Sequence, residues 1–149
     1  MTDVVDRATR SRMMSGIRGS NTRPEIRVRR YLHRSGLRFR LHRAGLPGRP
    51  DIVLPRFRAA LFVHGCFWHR HDGCRYTTSP KTRPAFWESK FRQNVERDRK
   101  NVNDLLELGW RVLVIWECGI RNHPDRMMEI ADWIRGPESF SEWPEKNPP

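Results

Sequence analysis

Residues His64 to Cys74 pack three histidines and two cysteines into eleven positions, His-Gly-Cys-Phe-Trp-His-Arg-His-Asp-Gly-Cys. Thiolate sulfur and imidazole nitrogen are the donors of tetrahedral zinc, and the spacing of Cys66, His71 and Cys74 lets one loop fold them around an ion. A fourth ligand must come from elsewhere, and Cys118 is the remaining cysteine. Four protein ligands leave no open coordination position, so such an ion is structural and not catalytic. Three thiols can also be buried as small hydrophobes without any metal, but the interleaved histidines favour the ion. An odd number of cysteines argues against a closed disulfide framework.

His64 and His69 are left over from that set, and they flank the loop entrance beside Asp51 on a neighbouring predicted strand. Cutting a phosphodiester takes a nucleophilic water, charge neutralisation at phosphorus and a proton for the departing oxygen. An Asp-bound divalent cation with nearby imidazoles supplies all three, and the ordinary pKa of histidine lies near neutrality. Singly, each residue has a plainer explanation: Asp51 after Gly-Arg-Pro suits a turn, Glu25 a helix cap, His64 a satisfied core. Gathered at strand ends around one loop of a basic protein, they read as a reaction centre. Phe67 and Trp68 sit between the proposed ligands, and Trp87 follows shortly after. Exposed, such rings wedge between bases at a cost of roughly a few kcal/mol per step; packed together, they cover the metal loop as a satellite core. Both roles stay open for Trp87, and Met14 is a lone candidate for a similar wedge.

A field of 29 Lys+Arg against 17 Asp+Glu, net +12 over 149 residues, favours a polyanion. Nucleic acid leads, because phosphates exchange condensed counterions for such side chains. A membrane partner is weaker: no apolar run approaches the roughly 18 residues of a spanning helix. The N-terminus lacks the apolar region of a secretory signal, which points to the cytoplasm. The length suits one domain, read as a basic arm over 1–21, a core over 22–136 and a Pro-rich disordered tail over 137–149.

The elements that must position these groups follow from pattern. Thr22-Arg23-Pro24-Glu25 has the spacing of a capping box and predicts a helix ending near Gly36. Leu37, Phe39 and Leu41 alternate with polar residues as in a half-buried strand. Gly45 to Pro50 is a Gly/Pro loop with Asp51 at its exit. Apolar runs 51–54 and 59–63 predict a hairpin of buried strands. A long helix spans 84–108, Val112 to Trp116 is a buried strand parallel to its predecessor, and Pro124 opens a last helix that Gly136-Pro137 stops.

Taken together, these residues resemble the very-short-patch repair endonucleases (Vsr). The likeness is carried by the arm Asp3 to Arg12, Thr22 to Glu25, Leu46 to Asp51, His64 to His69, Asn94 to Arg99, Glu107 to Leu113 and Trp116 to Cys118. The resemblance implies an α/β, single-domain fold like the PD-(D/E)xK restriction endonucleases, a mixed sheet flanked by helices with a structural zinc site. It implies nicking of double-stranded DNA 5′ to the thymine of a T:G mispair, the product of 5-methylcytosine deamination. It gives Asp51 a magnesium-binding role, with the backbone carbonyl of Val63, makes His69 the catalytic histidine, and has Glu25 and His64 hold water and phosphate. Cys66, His71, Cys74 and Cys118 match the zinc ligands, Phe67, Trp68 and Trp87 the intercalating aromatics, and Met14 a minor-groove wedge. Two positions depart from the family: Val63 replaces a threonine, and Cys74 lies one residue later, where Gly73 eases closure of the longer loop.

Two other functions fit the composition: a zinc-stabilised nucleic-acid-binding module without hydrolysis, and a restriction-type nuclease for matched DNA. The aromatics favour the mispair, where unstacking costs least. A monomer is the default expectation.

Overall fold

A computed structural model describes residues 21–145. Met14 and most of the arm lie outside those residues. Helix α1 (Arg23–Arg34) begins where the sequence places it: the Thr22 hydroxyl accepts the Glu25 backbone N–H at 3.3 Å. The reciprocal half differs, because the Glu25 carboxylate reaches back to the Asn21 N–H, one residue beyond the usual partner.

Five strands form one mixed sheet in chain order: β1 (Arg40–Leu41), β2 (Ile52–Leu54), β3 (Ala59–His64), β4 (Arg111–Trp116) and β5 (Phe140–Trp143). The β2–β3 hairpin is antiparallel and turns through a 3-10 segment, Pro55–Phe57. Strand β4 runs parallel to β3 in a register from Ala59↔Arg111 to His64↔Trp116, reached through helix α2 (Pro84–Glu107). Helix α3 (Glu117–Asn122) follows β4 directly, and helix α4 (Met128–Arg135) follows a 3-10 turn at Pro124–Arg126. Among the described residues, no helix is long and apolar enough to cross a membrane.

Strand periodicity divides the core into two layers. Ile52, Leu54, Leu61 and Leu113 face one way and pack with Val28 and Leu32 of α1 and Ile130 and Ile134 of α4. Val53, Ala60, Val112 and Val114 face the other way, toward Val102 and Leu105 of α2 and the cysteine loop. Each fully buried branched side chain contributes about 1.5–3 kcal/mol, so the sheet is held from both sides.

Two expectations are corrected. The strand read over 37–41 is regular at Arg40–Leu41 only; Leu37 is buried against the first layer before the ladder begins. The tail read as disordered from 137 is ordered through 145, where β5 completes the sheet parallel to β4. Its four residues carry little strand signal alone. Tertiary partners supply it: Trp143 is 4% exposed and donates its indole N–H to Glu129 at 3.0 Å. Trp116 donates likewise to Glu142 at 3.2 Å, and the Arg111 guanidinium donates to the Trp133, Ile134 and Glu138 carbonyls.

Gly119 lies where α3 meets this segment, and a Cβ there would sit 2.5 Å from Pro144 Cδ and 2.8 Å from the Trp143 ring. Gly119→Ala is therefore expected to cost about 1–3 kcal/mol by overpacking. Urea melts would register the loss, and amide exchange at 140–143 should accelerate first.

Candidate functional site

At the carboxyl ends of β3 and β4 the chain opens a cleft of about 870 Å³, lined from α1, the Gly48–Asp51 loop, the His64–His69 loop and one face of α2. Gly48 stands at φ +72°, with Asn101 of α2 so close that a Cβ would meet its Cγ at 2.7 Å. The loop entering Asp51 thus rests directly on the helix across the cleft.

Asp51 immediately precedes β2, and its Oδ2 accepts the Val63 N–H at 2.8 Å. Burial pushes its carboxyl from 3.8 up to about 6; the Val63 N–H pulls it down, Glu25 pushes it up, and His42 and His69 pull it down. Such a carboxylate lacks counter-charge, and a cation beside it would relieve the cost.

Glu25 is buried and has three polar partners. Its Oε1 takes Arg29 Nη2 at 2.7 Å and meets His42 Nε2, while its Oε2 takes the Asn21 N–H at 2.9 Å. His42 also donates its backbone N–H to the Asp51 carbonyl at 3.1 Å, so Glu25 reaches the Asp51 site through His42. The backbone of His42 sits at φ +44°, a region costly for a residue with a Cβ and characteristic of functional positions. Ligand atoms of Glu25, His42 and Asp51 all lie within 4.8 Å of one another. The sequence reading missed His42, taking it as a polar strand position.

His69 Nδ1 lies 2.6 Å from Asp98 Oδ2, an orienting pair between loop and α2. With the Nδ1 proton directed to Asp98, Nε2 is the free basic atom. The His64 ring stacks on His69 at 3.8 Å between centroids. Full burial, and next the neighbouring His69, hold His64 far below its ordinary pKa, so it stays neutral. Asp98 was also missed as a site residue, although it lies within the stretch Asn94 to Arg99 that carries the resemblance. It lies one helical turn after Asn94, which donates to the Trp68 carbonyl at 3.1 Å, so both residues reach the same loop.

Cys66, His71, Cys74 and Cys118 converge as expected, with their ligand atoms within 4.8 Å of one another. His71 Nδ1 stands 3.7 Å from Cys66 Sγ and 3.4 Å from Cys118 Sγ. Gly73, at φ +71°, turns the chain between His71 and Cys74. Burial pushes the Cys66 and Cys118 thiols up; the charge of Cys74 adds to the push on both, while a hydrogen bond with Cys66 lowers Cys118. Without a cation these thiols stay protonated; the donor set suits a tetrahedral S/N-preferring metal.

Phe67, Trp68, Trp87 and Phe91 form one aromatic group, with Phe67–Trp68 centroids 4.9 Å apart and Trp68–Trp87 6.0 Å apart. Phe91 is buried, while Phe67, Trp68 and Trp87 are half-exposed. The group is both satellite core and available surface. Phe67 and Trp68 line the cleft, and Trp87 stands behind them.

Among comparisons with known proteins, a family profile described as DNA mismatch endonuclease Vsr matches residues 2–75. The chain is 45% identical over 141 residues to the DNA mismatch endonuclease Vsr of Escherichia coli strain K12, covering 91% of this chain and 90% of that protein. It is 51% identical over 118 residues to the type II nicking enzyme V.XorIIP of Xanthomonas oryzae pv. oryzae, 79% of this chain and 86% of that protein. A third relative, the type II nicking enzyme V.NmeAIP of Neisseria meningitidis serogroup A, is 40% identical over 122 residues, 82% and 86% of the two chains.

The Asp51 environment has a measurable sign. Its pKa is higher folded than unfolded, so the folded chain holds an extra proton between 3.8 and about 6, and stability falls as pH rises through that window. Asp51→Asn keeps an oxygen for the Val63 N–H and removes the charge. It should raise the Tm of the metal-free protein clearly at pH 8 and hardly below pH 3.8, with an intermediate rise inside the window. Equal shifts at both extremes would refute a buried, uncompensated Asp51.

Proposed function

The chain belongs to the Vsr family of DNA mismatch endonucleases, and from that premise we propose that it hydrolyses one strand of duplex DNA 5′ to the thymine of a T:G mispair. The reading extends to its setting: repair of deaminated 5-methylcytosine, in the cytoplasm, by a monomer. One observation carries it beyond kinship. The cleft floor offers a half-buried carboxylate fixed to the Val63 backbone, near a histidine oriented by its own aspartate.

Each residue has a task in the hydrolysis. Asp51, with the Val63 carbonyl, would hold magnesium, which when bound supplies charge neutralisation at phosphorus and eases ionisation of water. His69, its Nδ1 proton given to Asp98, presents Nε2 as general base to the attacking water, and Asp98 stabilises the imidazolium that forms. His64, neutral under His69, keeps that ring planar to the cleft and donates a hydrogen bond to a phosphate oxygen. Glu25 fixes His42 and, through it, the backbone of Asp51. Cys66, His71, Cys74 and Cys118 would hold zinc, which would tie down the loop that carries His64, Phe67, Trp68 and His69. Phe67 and Trp68 enter the stack beside the mispair with Trp87 supporting them, and Met14 belongs to the arm on the minor-groove side. The mixed sheet with its site at strand ends is consistent with a restriction-endonuclease-like fold.

An end-labelled duplex with a single T:G mispair, beside its matched counterpart, tests the activity. A magnesium-dependent nick just 5′ of the thymine, absent from the matched duplex, is expected. Asp51→Asn and His69→Ala should each lower nicking by about 10³-fold or more while leaving duplex affinity within a few fold. Equal cutting of both duplexes would instead favour a restriction-type enzyme, and tight binding without cutting a binding module.

Removing a ligand probes the zinc. Cys118→Ser should lose about one zinc per chain by atomic absorption and about 3 kcal/mol or more of stability. Full stability with no bound zinc would leave the thiols as ordinary core.

A further inference from the structure

Beyond the cleft, on the far side of the cysteine cluster, two arginines converge on one tyrosine. Arg75 lies over the Tyr76 ring at 4.9 Å and Arg121 at 5.0 Å. Arg75 Nη2 donates to the Tyr76 hydroxyl at 2.8 Å, and that hydroxyl donates to Asn122 Oδ1 at 3.4 Å. Both guanidiniums are exposed, and neither makes an ion pair among the described residues. What sets this pair apart is the shared tyrosine ring and not the want of a carboxylate, since among the described residues only Arg29, Arg92 and Arg126 pair with one.

Gathering two like charges costs free energy unless an anion joins them. The gathering is built in from two directions. Arg75 and Tyr76 directly follow Cys74; Arg121 and Asn122 come three and four residues after Cys118 on α3. Cys74 and Cys118 belong to the same four-ligand cluster, so the cluster that shapes the catalytic loop also fixes both halves of this pair. Arg121 is one helical turn, about 6 Å of rise, from Glu117, which lines the cleft.

The geometry points to a phosphate clamp: Arg75 and Arg121, spaced by Tyr76, grip a backbone phosphate of the duplex outside the cleft, beside the rim at Glu117. One strand of DNA advances about 3.4 Å per phosphate, so a strand passing that rim brings a phosphate to the clamp within about two steps. Planar guanidiniums bind phosphate oxygens in a forked geometry that lysine cannot copy, and the aromatic ring restrains both forks at once. The clamp reads no base, so it adds affinity without selectivity. The assignment rests on duplex DNA being the substrate.

Fluorescence anisotropy with labelled matched and mispaired duplexes across a salt series tests it. Arg75→Gln with Arg121→Gln should reduce the slope of log Kd against log salt by about 1 to 2 and weaken binding about tenfold at low salt, equally on both duplexes. Nicking at saturating duplex should be unchanged. The paired Arg→Lys variants keep the charge and should keep most of the slope while losing part of the affinity. An unchanged slope in the Gln variant, or a loss confined to the mispaired duplex, would overturn the clamp. If the double Gln variant fails to fold, Arg121→Gln alone, expected to lose about 1 in slope, decides the matter. A wild-type chain that binds duplex and never nicks the mispair would remove the proposed activity and leave the clamp standing.

Discussion

Everything at the working end of this molecule depends on the parallel register of β3 and β4. His64 pairs with Trp116 at the last rung, and each chain leaves the sheet there. Cys66 and Cys118 each stand two residues beyond that rung, so the pairing that aligns the strands also brings the first and last cluster cysteines together. Had β4 slipped by one residue, the side chains of its two packed faces would exchange layers and Cys118 would leave its partners. The indole of Trp116 adds a direct link: it stacks on the His71 ring at 4.2 Å and meets His64 edge-on at 5.3 Å. One side chain thus touches the Cys/His cluster on one side and the candidate site on the other.

Charge is arranged around that frame by a second rule, that a buried carboxylate keeps only as much freedom as its neighbours leave it. Glu25, with three partners, holds His42 and the helix cap. Asp51, with one N–H donor, retains a lone-pair face toward the cleft and a raised pKa. Asp98 is committed to a single imidazole. Three carboxylates of similar intrinsic chemistry are therefore an anchor, an acceptor open to the cleft with a raised pKa, and a histidine partner, according to which donors surround each.

Much of this was legible before any coordinates. Hairpin, long helix and parallel strand announce themselves through apolar runs of the right length, and the cysteine and histidine spacing names the four-ligand set. His42 and Asp98 were not legible as site residues, because each becomes functional through a contact distant in sequence: seventeen residues separate His42 from Glu25, and twenty-nine separate Asp98 from His69. Strand β5 was misread for the same reason. Phe-Ser-Glu-Trp has no strong period of its own, and its order comes from the β4 ladder, the Trp143 indole bond and the arginine at position 111.

The turn at Gly73 bears on how such a protein can drift over evolutionary time. His71 and Cys74 are joined by a loop that turns through a single left-handed glycine. A coordination centre fixes the positions of its donor atoms and is indifferent to the contour of chain between them. Insertions and deletions can therefore accumulate in that loop, where they leave the donor geometry intact. The same changes within β3 or β4 would invert every side chain beyond them. Length variation in descendants of this sequence should be tolerated beside the thiols and purged from the strands, so that the least conserved spacing sits next to the most constrained atoms.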